Sequence, residues 1–230
     1  MDDFFRFATM KGGGHRLELT GPIVTSRPWW SEDGEQFACS TEFDAQLKAL
    51  EGEELTVVID SNGGDVAAGI AMYEALRNGK GETHCHIVRA YSAATLPLCA
   101  VPRRNRMISP VGTILIHDPA TSVSGTADEL DKSVRFLRAI KTAVLAAYHE
   151  ATGKSEAELS EMMTAASAVE NGFAESIAKP AESAQMSHEL MQVYMAASHE
   201  QTLRMAQAAA EAQKRDKERQ EYLRFFEGIK

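Results

Sequence analysis

Leu55-Thr56-Val57-Val58-Ile59-Asp60 is a β-branched run that lacks the polar alternation of a half-exposed strand, and it breaks at Ser61-Asn62-Gly63-Gly64. A strand apolar on both faces has to be covered on both, as a parallel strand between helical layers is. Helical spacing follows at once, from Ala67 to Arg77, and stops at Asn78-Gly79. Thr83 to Ala90 reads as the next strand, and Ser92 to Cys99 as a small-residue segment that opens a helix directly after it. Met107-Ile108 and Thr113 to Ile116 read as two further short strands, separated by Ser109-Pro110-Val111-Gly112. This alternation of strand and helix predicts α/β layers rather than a helical bundle.

The flanks extend the pattern. His15 to Val24 reads as a strand and residues 25–40 as a loop holding Trp29 and Trp30. Ser40-Thr41 offers an N-cap for a helix with Phe43, Leu47 and Leu50 at helical spacing. Thr126 with Glu129 is a capping-box pair, and Leu130, Val134, Leu137, Ile140, Val144 and Tyr148 follow on one stripe. Thr152-Gly153-Lys154 ends that helix. Ser155, with Glu158 three residues on, predicts a shorter helix through Met163, and Thr164 to Asn171 another, closed by Gly172. After Pro180 the composition changes: residues 181–227 hold no Gly or Pro and are rich in Ala, Gln, Glu, Lys, Arg and Met. That is the composition of a long helix with little to bury alone, one that packs on a partner chain, projects or frays. The expected division is a flexible lead over 1–14, a domain over 15–180 and a helical extension over 181–230.

Charge and cysteine use narrow the function. A net charge of −9 argues against a general binder of nucleic acid or of anionic membranes. No run of 18 apolar residues predicts a membrane span. Met1-Asp2-Asp3-Phe4-Phe5-Arg6 lacks the basic-then-apolar layout of a secretory leader, and three cysteines at irregular spacing do not form a disulfide framework. A cytoplasmic location is the expectation. Cys99 reads as core and Cys39 as surface.

Three features could carry chemistry. The Gly63-Gly64 pair, between a buried strand and a helix, lets backbone N–H groups face a phosphate or an oxyanion, or simply makes a tight turn. The Gly-Lys-Ser/Thr that a P-loop needs after such a turn is absent there. Ser92 stands where a strand passes into a helix, as either an N-cap or a nucleophile. His117 ends an apolar strand, as either a satisfied polar group or a base. His84 and His86 share one face of a strand, but no third or fourth metal ligand is evident, so a plain strand is the reading.

Taken in order, Gly-Gly, Ser and His sit in stretches that resemble the proteolytic subunit of Clp protease, and more closely its phage and prophage relatives, the head maturation proteases of that type. The matching segments are Ile59 to Tyr73, Ala90 to Thr95, Gly112 to Pro119, Gly125 to Leu130, Tyr148 to Ser155 and Ala168 to Ala174, and the likeness as a whole covers about residues 15–178. The resemblance implies an α/β fold of ClpP/crotonase-type repeated β-β-α layers, here with the C-terminal helical extension. It implies a serine endopeptidase with Ser92 as nucleophile, His117 as general base, and the N–H groups of Gly64 and Ala93 as oxyanion hole. Residues 122–125 would lie in a strand-bearing segment that guides an extended peptide. The implied partners are further copies in a ring, commonly heptameric and sometimes stacked, and polypeptide substrates such as capsid, scaffold or portal proteins. No metal or organic cofactor is implied.

Three positions depart from the family pattern. Val88 stands where a glycine is usual, and Tyr91 replaces the small residue before the nucleophile, where it would crowd or reshape the site. Only ten residues separate Gly153 from Thr164, so the stretch that should hold the catalytic acid is missing. Glu158 and Glu161 are the carboxylates nearby. Glu161 is the candidate acid, with Asp118 the other substitute. A Ser–His dyad, or a structural assembly protein derived from the protease, are the remaining readings. An acyl-CoA enzyme of crotonase type shares the fold but has no positive sign of a CoA site.

Overall fold

The computed structural model describes residues 7–9, 14–32, 35–50 and 52–179. The extension expected over 181–230, with its long helix, lies outside the described residues. The elements run β1 (Phe7–Thr9), β2 (His15–Thr20), β3 (Ile23–Val24), β4 (Ala38–Cys39), α1 (Ser40–Ala49), β5 (Leu55–Ser61), α2 (Val66–Asn78) and β6 (Thr83–Tyr91). Then come α3 (Thr95–Ala100), β7 (Arg106–Leu115), α4 (Ala127–Thr152), β8 (Met162–Thr164), α5 (Ala165–Glu170) and β9 (Ser176–Ile177). One sheet has the order β1-β2-β5-β6-β7-β8, with β9 also on β7; β3 and β4 form a separate parallel pair. Strands β2, β5, β6 and β7 are parallel neighbours, which brings the C-terminal ends of β5, β6 and β7 to one side.

The α/β class is as expected, and the reason is burial. Val57, Val58 and Ile59 are fully buried, as a central parallel strand requires. Asp60 and Arg89 are register partners on β5 and β6 and form an ion pair of 2.9 Å. Burial raises the Asp60 carboxyl above its ordinary pKa, and the Arg89 guanidinium works against that. The pair locks the register of the two strands whose ends carry the glycine turn and Ser92.

Several local expectations are corrected. Segments 107–108 and 113–116 belong mostly to one strand, β7. Its pairing jumps from Ile87↔Ile108 to Arg89↔Thr113, so residues 109–112 arch out opposite the single Val88. Val88 is thus the residue at the register break, not a position of positive φ that only glycine would tolerate. The helix expected from Ser155 is one 3-10 turn, Glu156–Glu158, after which the chain extends into β8. Pairing of Met163 with Ile114, where Met163 is fully buried, outweighs the local helical signal. Cys39, not Ser40 or Thr41, is the N-cap of α1; the Ser40 and Thr41 hydroxyls donate to the Thr25 carbonyl. Cys39 is also buried rather than on the surface, because β4 pairs with β3 beneath α1. All three cysteines are free, and burial pushes the Cys39 thiol up to about 11 and those of Cys85 and Cys99 to about 12. Residues 122–125 carry no strand and are exposed; no neighbouring strand supplies the hydrogen bonds an isolated extended segment needs.

The capping box at Thr126 and Glu129 is formed, and α4 ends at Gly153 in the left-handed region (φ 75°). Val144 and Tyr148 are buried, while Leu130 and Val134, earlier on the same stripe, are exposed. Among the described residues no helix is long and apolar enough to cross a membrane.

Candidate active site

Strand β6 ends at Tyr91, and the chain turns through a 3-10 segment, Ser92–Ala94, into α3. Ser92 has φ 53°, and it is the one non-glycine residue with positive φ among those described. Such a conformation costs about 1–3 kcal/mol and persists only where the surroundings over-determine it. The glycine turn is part of that surrounding. A Cβ on Gly63 would lie 2.5 Å from the Tyr91 carbonyl oxygen, 2.8 Å from Ser92 Cβ and 2.9 Å from the Ala93 nitrogen. Gly63 and Ser92 are therefore packed backbone to backbone.

Ser61 holds the glycine turn, a role the sequence reading missed. Its hydroxyl donates to the Gly21 carbonyl at 2.6 Å and accepts the Gly63 N–H at 3.0 Å. A serine followed two residues later by glycine after a strand is the signal that could have found it. Gly64 bridges Ile23 on β3: Ile23 N–H donates to the Gly63 carbonyl and Asp65 N–H to the Ile23 carbonyl. The Gly64 amide itself is not a donor in these turn hydrogen bonds, and Gly64 is exposed. Ala93 is second in its 3-10 turn, where an N–H has no partner within the turn. Neither amide donates in the turn and loop hydrogen bonds of this region.

His117 follows β7. Ser92, Ala93 and His117 line one cleft together with Val66, Leu96, Pro119, Val144 and Tyr148. Among the described residues no hydrogen bond joins the Ser92 hydroxyl to the imidazole; such contacts are commonly loose before substrate binds. His117 Nδ1 lies 2.7 Å from the Asp118 carbonyl oxygen. A carbonyl only accepts, so Nδ1 carries the proton and Nε2 is left with a lone pair, the tautomer that a general base needs.

Asp118, Glu156 and Glu158, three of the carboxylates near this loop, are otherwise engaged. Asp118 Oδ2 accepts from Lys141 Nζ at 2.8 Å, and the same ammonium reaches Glu156 Oε1 at 2.6 Å. These hydrogen bonds, first that to Asp118, raise the Lys141 pKa. Glu158 closes the Ser155 capping box, whose hydroxyl and N–H hold its carboxyl below the ordinary value. Glu161 is exposed, and its main-chain carbonyl accepts the Ile116 N–H at 2.8 Å; its carboxylate makes no described hydrogen bond to His117. Tyr91 does not crowd the cleft. Its hydroxyl is bonded to Thr113 Oγ1 on β7 at 2.9 Å, which turns the ring along the sheet. On β6, His84 Nε2 lies 3.5 Å from a Glu54 carboxylate oxygen.

The family model described as Clp protease matches residues 36–181. The chain is 34% identical over 108 residues to the ATP-dependent Clp protease proteolytic subunit 1 of Chlamydia trachomatis, covering 45% of this chain and 56% of that protein. The proteins of the same description from Chlamydia muridarum and Chlamydia abortus are 33% and 32% identical over 108 residues, with the same coverage. The chain thus spans a little over half the length of these curated relatives.

Proposed function

The chain belongs to the Clp protease family, and on that premise we propose that it is a serine-type endopeptidase whose nucleophile is Ser92 and whose general base is His117. The observation that carries the reading is the shared cleft: the strained serine and the imidazole line it together, beside two unengaged amides. Ser92 Oγ attacks the peptide carbonyl carbon while His117 Nε2 takes its proton. The carbonyl oxygen becomes an oxyanion, stabilised by the N–H groups of Gly64 and Ala93. The imidazolium then protonates the leaving amine, and a water deprotonated by the same nitrogen releases the acyl group from Ser92.

The Asp118 carbonyl fixes the imidazole tautomer in this reading. Glu161 is the proposed acid, since its main chain is tied to Ile116, one residue before the base. From an exposed position its charge is screened, so it steadies the imidazolium only modestly. The enzyme works as a homo-oligomeric ring on polypeptides; the exposed Leu130, Val134 and Phe136 of α4 support association of copies. The finer assignment is a phage or prophage head maturation protease acting on capsid, scaffold or portal proteins. It is supported by the sequence resemblance and by the helix-forming composition after Pro180.

A fluorophosphonate should label Ser92 on the folded protein, and Ser92→Ala should abolish both labelling and peptide hydrolysis. A capsid or scaffold precursor cut by the parent and untouched by Ser92→Ala would establish the substrate class. Folded parent protein that takes up no label at Ser92 would overturn the peptidase and leave a structural assembly protein on the same fold.

A further inference from the structure

Ser92 keeps a backbone conformation that serine rarely adopts, and Gly63 packs against it. Thr95, fully buried in the first turn of α3, holds it as well. Its hydroxyl lies 2.6 Å from the Ser92 carbonyl oxygen and 2.6 Å from the Tyr148 hydroxyl. A carbonyl has no proton to give, so the Thr95 proton is committed to Ser92. The Tyr148 proton must then go to Thr95 Oγ1. The direction of both hydrogen bonds is fixed: Tyr148 to Thr95 to Ser92.

A threonine bonded to the carbonyl three residues back is ordinary in a helix. The second hydroxyl is not. It comes from α4, 53 residues further along the chain, and it is buried. The Tyr148 ring is held by Phe173, edge-on at 5.6 Å between centroids, and it also lines the cleft that contains Ser92 and His117. Burial is the main cause that raises the phenol above its ordinary pKa, so it stays a donor at neutral pH.

We propose that Thr95 and Tyr148 are positioning residues for the nucleophile: a two-hydroxyl relay from α4 that pins the Ser92 carbonyl and so sets the direction of the Ser92 side chain. This rests on the reading of Ser92 as nucleophile. Losing the Tyr148 hydroxyl leaves the buried Thr95 Oγ1 without the donor that orients it, and the Ser92 turn that Thr95 holds relaxes away from its reactive geometry. The relay acts on the rate of attack rather than on substrate affinity, since its two hydroxyls are buried and spent on each other and on the Ser92 carbonyl.

The test is the second-order rate of fluorophosphonate labelling at Ser92, with kcat and KM on a peptide, for Tyr148→Phe, Thr95→Val and Thr95→Ser. Thermal unfolding is followed in parallel on the same full-length proteins. A small displacement of a reacting group can cost about 100-fold in rate, and a loss of that order is expected for Tyr148→Phe and Thr95→Val, in labelling and in kcat, with KM little changed. Thr95→Ser, which keeps the hydroxyl, should stay close to the parent. Should Thr95→Val not fold, Tyr148→Phe carries the test, because it keeps the ring against Phe173. Folded Tyr148→Phe that labels at the parent rate overturns the relay. So does Thr95→Ser slowed as much as Thr95→Val, which would make the methyl contact responsible. A parent that is not labelled overturns the peptidase reading, and the relay's catalytic role with it; a labelled parent with unaffected variants overturns the relay alone.

Discussion

Gly63 shows how much of a site can depend on an atom that is missing. Its φ of 88° favours glycine, and any Cβ there would meet the Tyr91 carbonyl and Ser92 Cβ well inside contact distance. Gly63→Ala therefore has to bear a left-handed alanine and push back the Ser92 turn together. We expect a loss of about 2–4 kcal/mol in chemical unfolding, and loss of Ser92 labelling in the fraction that still folds. Gly153→Ala makes the contrast: φ is 75° there too, but nothing lies near its Cβ position, so it should cost about 1 kcal/mol from backbone strain alone and leave labelling intact. The Gly63-Gly64 pair was visible in the sequence as a turn able to present amides. That Gly63 is pressed against Ser92 was not, because the two are brought together only when β5 and β6 pair.

At the scale of an element, α4 is the clearest case of local sequence deciding local structure. Thr126 N–H and Oγ1 both donate to Glu129 Oε2, at 2.7 and 2.9 Å. Those hydrogen bonds hold the Glu129 carboxyl below its ordinary value. The native state then binds fewer protons than the unfolded chain in that range. Its contribution is present above the ordinary carboxylate pKa and is lost as pH falls through the depressed native value. The melting temperature of the parent should exceed that of Glu129→Gln at neutral pH, and the gap should close on acidification below pH about 4. The raised Asp60 has the opposite sign, but it is common to both proteins and cancels in the difference. A gap independent of pH would show that the capping carboxylate contributes nothing through its charge. The shorter capping box at Ser155 had the same signal and gave only one turn, because the residues after it are drawn into the sheet beside β7.

Across the whole described unit, Arg106 ties the layers together. Its buried guanidinium donates to the carbonyls of Val101 at 2.6 Å, Ala151 at 3.2 Å, and Cys99 and Gly172 at 3.3 Å. Two of these belong to the ends of α3 and α4, where a cation also meets the negative end of the helix dipole. Burial lowers its pKa below the usual guanidinium value, and the carbonyls take the place of water. Arg106→Met would leave four carbonyls without this partner, at about 1–3 kcal/mol for each that finds no other. A loss of about 3 kcal/mol or more in denaturant unfolding is expected, with a cooperative transition. An unchanged midpoint would mean that water or neighbouring amides satisfy those groups without it.

The chain by itself determined the α/β class, the strand that had to be central, the ends of α2 and α4, and the order of glycine turn, serine and histidine. Each of these follows from hydrophobic periodicity, turn residues and caps, which act over a few neighbouring positions. Tertiary structure alone decided that Val88 faces an arch of four residues, that the helical signal after Ser155 yields to a strand, and that Cys39 is covered. It also decided that Asp118 offers its carbonyl to His117 while its carboxylate is held by Lys141, and that a tyrosine from α4 completes the hydrogen bonds around Ser92. These depend on contacts between residues far apart in the chain, where sheet register and burial outweigh the preferences of any short segment.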